Sequence, residues 1–126
     1  MTSSLTLQPL ILVATIDRSL RFYRDQLGYS VIEEAQSDGL VYWCRLERGG
    51  MSLMLQQAEP EDGSAMGRGR GVLFYVVCTD LDALAAEFTQ RGLEYAPPVT
   101  TYYGMRQLSI TDPDGYDLCF QERVGS

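Results

Sequence analysis

Apolar and polar positions along the chain fall into short periodic runs whose order occurs twice. Gln8 to Ala14 is apolar and β-branched and predicts a strand. Asp17 follows as a candidate N-cap, and Leu20, Tyr23 and Leu27 fall on one helical face, with Gly28 at the stop position. Ser30–Glu34, Leu40–Glu47 and Met51–Gln57 predict three strands, with turns at Asp38-Gly39 and Gly49-Gly50. The order then restarts. Val72–Cys78 predicts a strand, and Thr79 or Asp80 can cap a helix carrying Leu81, Leu84 and Phe88. A short strand is expected near Glu94–Ala96. Met105–Thr111 and Tyr116–Glu122 predict two more, joined by the turn Asp112-Pro113-Asp114-Gly115.

The halves align at a nearly constant offset: Gln8 with Val72 at 64, Met54 with Cys119 and Gln56 with Gln121 at 65. Each half is therefore a βαβββ unit. The expected fold is α+β, a single domain over residues 1–126. Its first module spans about 5–58, a Gly-, Glu- and Arg-rich linker about 59–70, and its second module about 71–123. The linker reads as mobile. One helix covers one face of each sheet, so two such sheets can curl together and enclose a cleft, the natural place for a ligand.

Composition narrows the chemistry. The 126 residues contain no histidine and no lysine. That removes imidazole bases and metal ligands, Ser–His and Cys–His nucleophiles and Schiff bases. The net charge of −7 argues against nucleic acid or an anionic membrane as partner and is compatible with a cationic ligand. The longest apolar run, Leu10–Ala14, is far too short to span a bilayer, and no secretory signal is visible in the first ten residues. Three widely spaced cysteines fit neither a disulfide framework nor a redox motif, so the cytoplasm is the expected compartment.

Three stretches, at the right spacing within the paired units, resemble the vicinal-oxygen-chelate superfamily of glyoxalases, bleomycin-resistance proteins and extradiol dioxygenases. They are Asp17-Arg18-Ser19-Leu20-Arg21-Phe22-Tyr23 with Leu27-Gly28-Tyr29, Thr79-Asp80-Leu81-Asp82 leading to Arg91-Gly92, and Asp112-Pro113-Asp114-Gly115-Tyr116. The resemblance covers about Leu7 to Glu122. It implies that catalytic members hold a divalent metal with four side chains from the first and last strands of each repeat. Those positions fall here on Gln8, Met54, Val72 and Cys119. Gln8 alone offers a hard-metal oxygen, and Cys119 offers a thiolate to a softer ion. The resemblance therefore implies no metal and no cofactor, and points to the drug-sequestering bleomycin-resistance branch. Pro9, directly after the first of these positions, fits that branch and also has a plain structural reading at a strand start.

Strand alternation extends the candidate cleft lining. It adds Ser52, Gln56, Asp117, Gln121, Leu10 and Phe74, and on the adjoining strands Tyr42, Cys44, Gln107 and Ser109. Any of these side chains can instead fill core. Trp43 is expected to pack under a helix or to stack on a ligand. Cys44 and Cys119 would approach each other across the cleft, with no base to activate either thiol. Tyr102-Tyr103-Gly104 reads as a loop over a ligand or at a subunit contact. Glu33, Glu34, Asp38 and Glu47 form a solvated face or attract a cation. No catalytic residue emerges. Three functions stay open: a metal-free homodimeric protein sequestering a small aromatic or cationic molecule; an enzyme, either a lyase, isomerase or dioxygenase with an unusual ligand set or a metal-free carboxylate-based catalyst; and a partner-binding descendant whose cleft has filled.

Overall fold

The computed structural model describes residues 3–63 and 67–124. In the first module, strand β1 (Leu10–Val13) leads into helix α1 (Ile16–Leu20), which widens into a π-helical turn over Arg21–Gln26. Thr15, and not Asp17, is the N-cap: its side chain accepts from the Arg18 N–H at 3.3 Å. The π register is visible in the 2.9 Å bond from the Leu27 N–H to the Phe22 carbonyl. The expected face is the buried one, with Leu20, Tyr23 and Leu27 all in the core. Strands β2 (Ser30–Ser37), β3 (Leu40–Arg48) and β4 (Met51–Gln57) complete a sheet of order β1-β4-β3-β2. At the β2–β3 turn Asp38 and Gly39 both take positive φ, 52° and 77°, the backbone a two-residue hairpin requires.

The second module repeats the plan. Strand β5 (Leu73–Val77) and helix α2 (Leu81–Gln90) are followed by β6 (Val99–Thr100), β7 (Met105–Thr111) and β8 (Asp117–Arg123), in the order β5-β8-β7-β6. Asp80 caps α2 through the Ala83 N–H at 3.0 Å. The short strand lies at Val99–Thr100, not Glu94–Ala96, where Tyr95 instead donates its hydroxyl to the Ala85 carbonyl at 2.6 Å. That bond ties the segment to α2 and takes it off the sheet.

Part of the connecting segment, whose residues 64–66 lie outside the described ones, is locally structured. Pro60–Asp62 form a 3-10 turn with a reciprocal capping box from Glu59 and Asp62. Gly69 is buried so tightly that a Cβ there would lie 2.4 Å from the Gly115 carbonyl oxygen. The two modules share one continuous core, with Tyr23, Leu46 and Leu55 from the first and Phe88, Leu108 and Phe120 from the second. Polar bonds reinforce the seam. Tyr116 donates to the Leu12 carbonyl at 3.0 Å, and Arg48 pairs with both Glu87 oxygens at 2.7 and 2.8 Å.

Candidate functional site

Each sheet has one face closed by its helix and one left open. In the first sheet Ile11, Val13, Cys44, Leu46, Leu53 and Leu55 are buried on the closed face. Residues paired across strands share a face, so the register defines what the open face presents. One row runs Leu12–Gln56–Trp43–Ala35 and the next Leu10–Met54–Arg45–Glu33. In the second sheet the matching rows are Val77–Gln121–Gln107–Val99 and Tyr75–Cys119–Ser109, followed by Leu73–Asp117–Thr111. Each open face thus carries an amide row beside a sulfur row.

Most of the expected lining sits on these rows. Leu10, Met54, Gln56, Gln107, Ser109, Gln121 and Cys119 lie on open faces, as do Ser52, opposite Glu47, and Asp117. Four placements change. Cys44 pairs with Leu55 and is fully buried on the closed face, so it does not approach Cys119 across a cleft. Tyr42 sits at a shift of register, between the pairs Ala35–Trp43 and Gln36–Val41, and is exposed next to the core-packed Val41. Trp43 and Arg45 lie on the open face, which removes the expectation that Trp43 packs under a helix. Phe74 pairs with Leu118 and packs against the core. It also lines a groove of about 450 Å³ along the seam, together with Leu7, Met51, Ser52 and Tyr75.

The fourth change concerns the repeat itself. Leu10 pairs with Met54 and Tyr75 pairs with Cys119, so the structural offset is 65 throughout the outer strands. The residue equivalent to Gln8 is therefore Leu73, and Val72 falls one position off the open face. Gln8 itself is exposed, just ahead of β1.

Two polar arrangements organise the open faces. On the first sheet Arg45 is clamped between two carboxylates, with Nε 3.0 Å from Glu33 Oε1 and Nη1 2.5 Å from Glu47 Oε1. The cluster carries one net negative charge beside Met54 and Trp43. On the second sheet Gln107 Nε2 donates to Gln121 Oε1 at 3.1 Å and to the Tyr103 hydroxyl at 3.0 Å. Tyr103 packs edge-on against the fully exposed Tyr102, with ring centroids 5.1 Å apart. The Tyr102–Tyr103 loop is thereby tied to the open face. Sequence reasoning missed Arg45, Tyr75, Val77 and Val99. The alternation Trp43-Cys44-Arg45-Leu46-Glu47 carried the signal for the first of these, since Arg45 and Glu47 are polar on one side and Cys44 and Leu46 apolar on the other.

The family's metal does not fit this donor set. Met54 offers a thioether and Leu73 offers no donor at all. Burial pushes the Cys119 thiol above its ordinary pKa, partly offset by a hydrogen bond from Ser109, which disfavours a thiolate at neutral pH. Among the described residues no three His, Cys, Asp or Glu side chains gather into a possible metal-binding group.

Comparison with known proteins bears on the fold. The model of the Glyoxalase/Bleomycin resistance protein/Dioxygenase superfamily matches residues 6–120. No curated protein matches the chain. Among solved structures, TioX from Micromonospora sp. ML1 is similar at a TM-score of 0.77 and 20% identity, over 96% of this chain and 100% of that one. A glyoxalase-related enzyme from Clostridium phytofermentans gives 0.70 and 19%, over 98% of both chains. TnmS3 from Streptomyces sp. CB03234, described as an antibiotic binding protein, gives 0.70 and 21%, also over 98% of both. At these identities the structural likeness shows the fold alone, and it suits binders and enzymes equally. With two βαβββ modules in place and the family model matching nearly its whole length, the chain belongs to the Glyoxalase/Bleomycin resistance protein/Dioxygenase superfamily.

Proposed function

We propose that this protein binds and sequesters a planar or aromatic, antibiotic-like molecule on its open sheet faces, without a metal and without transforming it. The observation that carries the reading is the make-up of the rows. Where a metal-dependent relative needs oxygen or nitrogen ligands, this chain presents Met54, Leu73 and a buried Cys119 thiol. Around them stand Trp43, Tyr75 and the amides Gln56, Gln107 and Gln121. Apolar burial of the ligand would supply most of the affinity, at roughly 25 cal/mol per Å² before association costs are subtracted. The net charge of −7 and the Glu33–Arg45–Glu47 cluster favour a ligand carrying positive charge. The description of TnmS3 supports this reading by analogy.

The working form is a cytoplasmic homodimer. A closed two-fold pair is the commonest oligomer, and exposed apolar side chains off the ligand rows, Leu5, Leu7 and Leu40, suit cover by a second copy. Light scattering at micromolar concentration should give twice the 14.1 kDa chain mass, and a monomer mass would remove the dimer.

Binding is tested by Trp43 emission and calorimetry against bleomycin-type glycopeptides, 9-aminoacridine and anthraquinones. Trp43 is the only tryptophan, so its quenching reports the open face of the first sheet. Met54→Arg should abolish binding, because it sets a second guanidinium beside Arg45 on that face. Turnover of glyoxalase- or dioxygenase-type substrates that Met54→Arg removes, with no compound of the panel bound, would replace this reading with an enzymatic one.

A further inference from the structure

Resting on that binding reading, we infer that the Gln107–Gln121 pair selects ligands by a donor–acceptor edge, and that the preferred class is a planar polycycle carrying a secondary lactam. The hydrogen-bond inventory of the pair defines the preference. Gln107 Nε2 has two N–H groups, and both are spent, one on Gln121 Oε1 at 3.1 Å and one on the Tyr103 hydroxyl at 3.0 Å. Gln107 therefore presents only its carbonyl oxygen. Gln121 has its oxygen engaged and presents only N–H donors. Neither free group has a side-chain partner among the described residues. Turning Gln107 over by itself would set two amide oxygens against each other, whereas turning both amides over keeps their bond, with Tyr103 donating, and reverses the edge, so in either state the pair offers one donor beside one acceptor. A complementary ligand offers a donor to Gln107 and an adjacent acceptor to Gln121, which is the N–H/C=O edge of a lactam.

The flanks of the row add shape. Val77 pairs with Gln121 and Val99 with Gln107, so the four residues form one line across β5, β8, β7 and β6. Both valines are largely exposed, at 74% and 61%. Four strands at their usual spacing place the outer two about 14 Å apart, room for two or three fused rings between apolar ends. Tyr103, tethered to Gln107 and backed by Tyr102, supplies an aromatic edge above the same line. An amide pair held in place by its neighbours loses little freedom when a ligand arrives, so its polarity becomes selectivity. A site built to satisfy such an edge discriminates strongly against a ligand lacking it.

The test compares phenanthridin-6(5H)-one with its N-methyl derivative, which keeps the rings and carbonyl and loses the donor. Wild-type protein should bind the lactam at least tenfold more tightly than the N-methyl compound. Gln121→Glu, which replaces the donor with an acceptor while still able to accept from Gln107, should weaken lactam binding at least tenfold. Circular dichroism confirms that the variant is folded. Equal affinity for the two compounds, or a Gln121→Glu variant that keeps the full lactam affinity, overturns the edge-selection inference and leaves the binding reading standing. So does binding of 9-aminoacridine with no binding of either lactam. Failure of both lactams and of the whole panel named above overturns both.

Discussion

The Tyr23 hydroxyl donates to Asp112 Oδ2 at 2.6 Å, joining helix and turn across 89 residues and across the two modules. Tyr23 is fully buried, and Asp112 is nearly so. The other Asp112 oxygen accepts the backbone N–H groups of Asp114 and Tyr116, at 2.9 and 2.8 Å. One carboxylate thus shapes the β7–β8 turn and anchors the first helix. Asp114 continues the joint by accepting from the Ala14 N–H at 2.8 Å and from Arg18 at 3.0 Å. The turn that reads in sequence as a hairpin device is also the clasp between the modules.

Tyr23→Phe should therefore destabilise the protein by about 1–3 kcal/mol, the usual cost of leaving a buried partner unsatisfied. Urea unfolding monitored by circular dichroism checks this, with an unchanged m-value expected. The open sheet faces do not use Tyr23, so ligand affinity should stay the same.

The same burial makes the fold sensitive to alkali. Desolvation, and then the Asp112 charge, raise the Tyr23 pKa far above its ordinary value of 10.0, and burial pushes Tyr29 to about 12. Both groups favour the protonated form in the folded state. Their contribution is fully present below pH 10 and is lost as the unfolded chain ionises above it. Melting temperature should therefore fall steeply from about pH 10 upward. Tyr23→Phe should flatten that fall, since it removes the group with the largest shift.

Thiol reactivity should be low at neutral pH. Burial pushes Cys44 up to about 11 and raises Cys78 and Cys119 as well. Cys44 and Cys119 are buried, whereas Cys78 is half-exposed and its Sγ lies 3.6 Å from the Gln121 carbonyl. A disulfide reagent at pH 7 should modify Cys78 first, and the other two only on unfolding. Mass spectrometry of the labelled peptides reads the order.

Purified protein should carry no stoichiometric divalent metal. Elemental analysis should find far less than one Ni, Zn, Fe or Mn per chain. About one ion per chain, lost on Gln8→Ala or Cys119→Ser, would contradict the donor argument.

The apolar and polar pattern was enough for the architecture. Periods of two and of about three and a half and the Asp38-Gly39 turn are local properties of the backbone, and their recurrence at an offset of 64 to 65 residues specifies two βαβββ modules. The absence of histidine and lysine likewise restricts the chemistry without reference to any fold. The faces of individual strands depended on what covered them. In β3 the alternation of Cys44 and Leu46 with Arg45 and Glu47 carries the correct answer, but it is read only once Leu53 and Leu55 are known to share the covered side. In β5 all five residues from Leu73 to Val77 are apolar, so no alternation exists. Packing against Leu118 and Phe120 turned Phe74 and Val76 inward and left Tyr75 and Val77 outside. The Gln107–Gln121–Tyr103 ladder and the clasp from Tyr23 to Asp112 join residues 4 to 89 positions apart. Only strand register and helix docking bring such groups within hydrogen-bond reach, and those are properties of the assembled sheets.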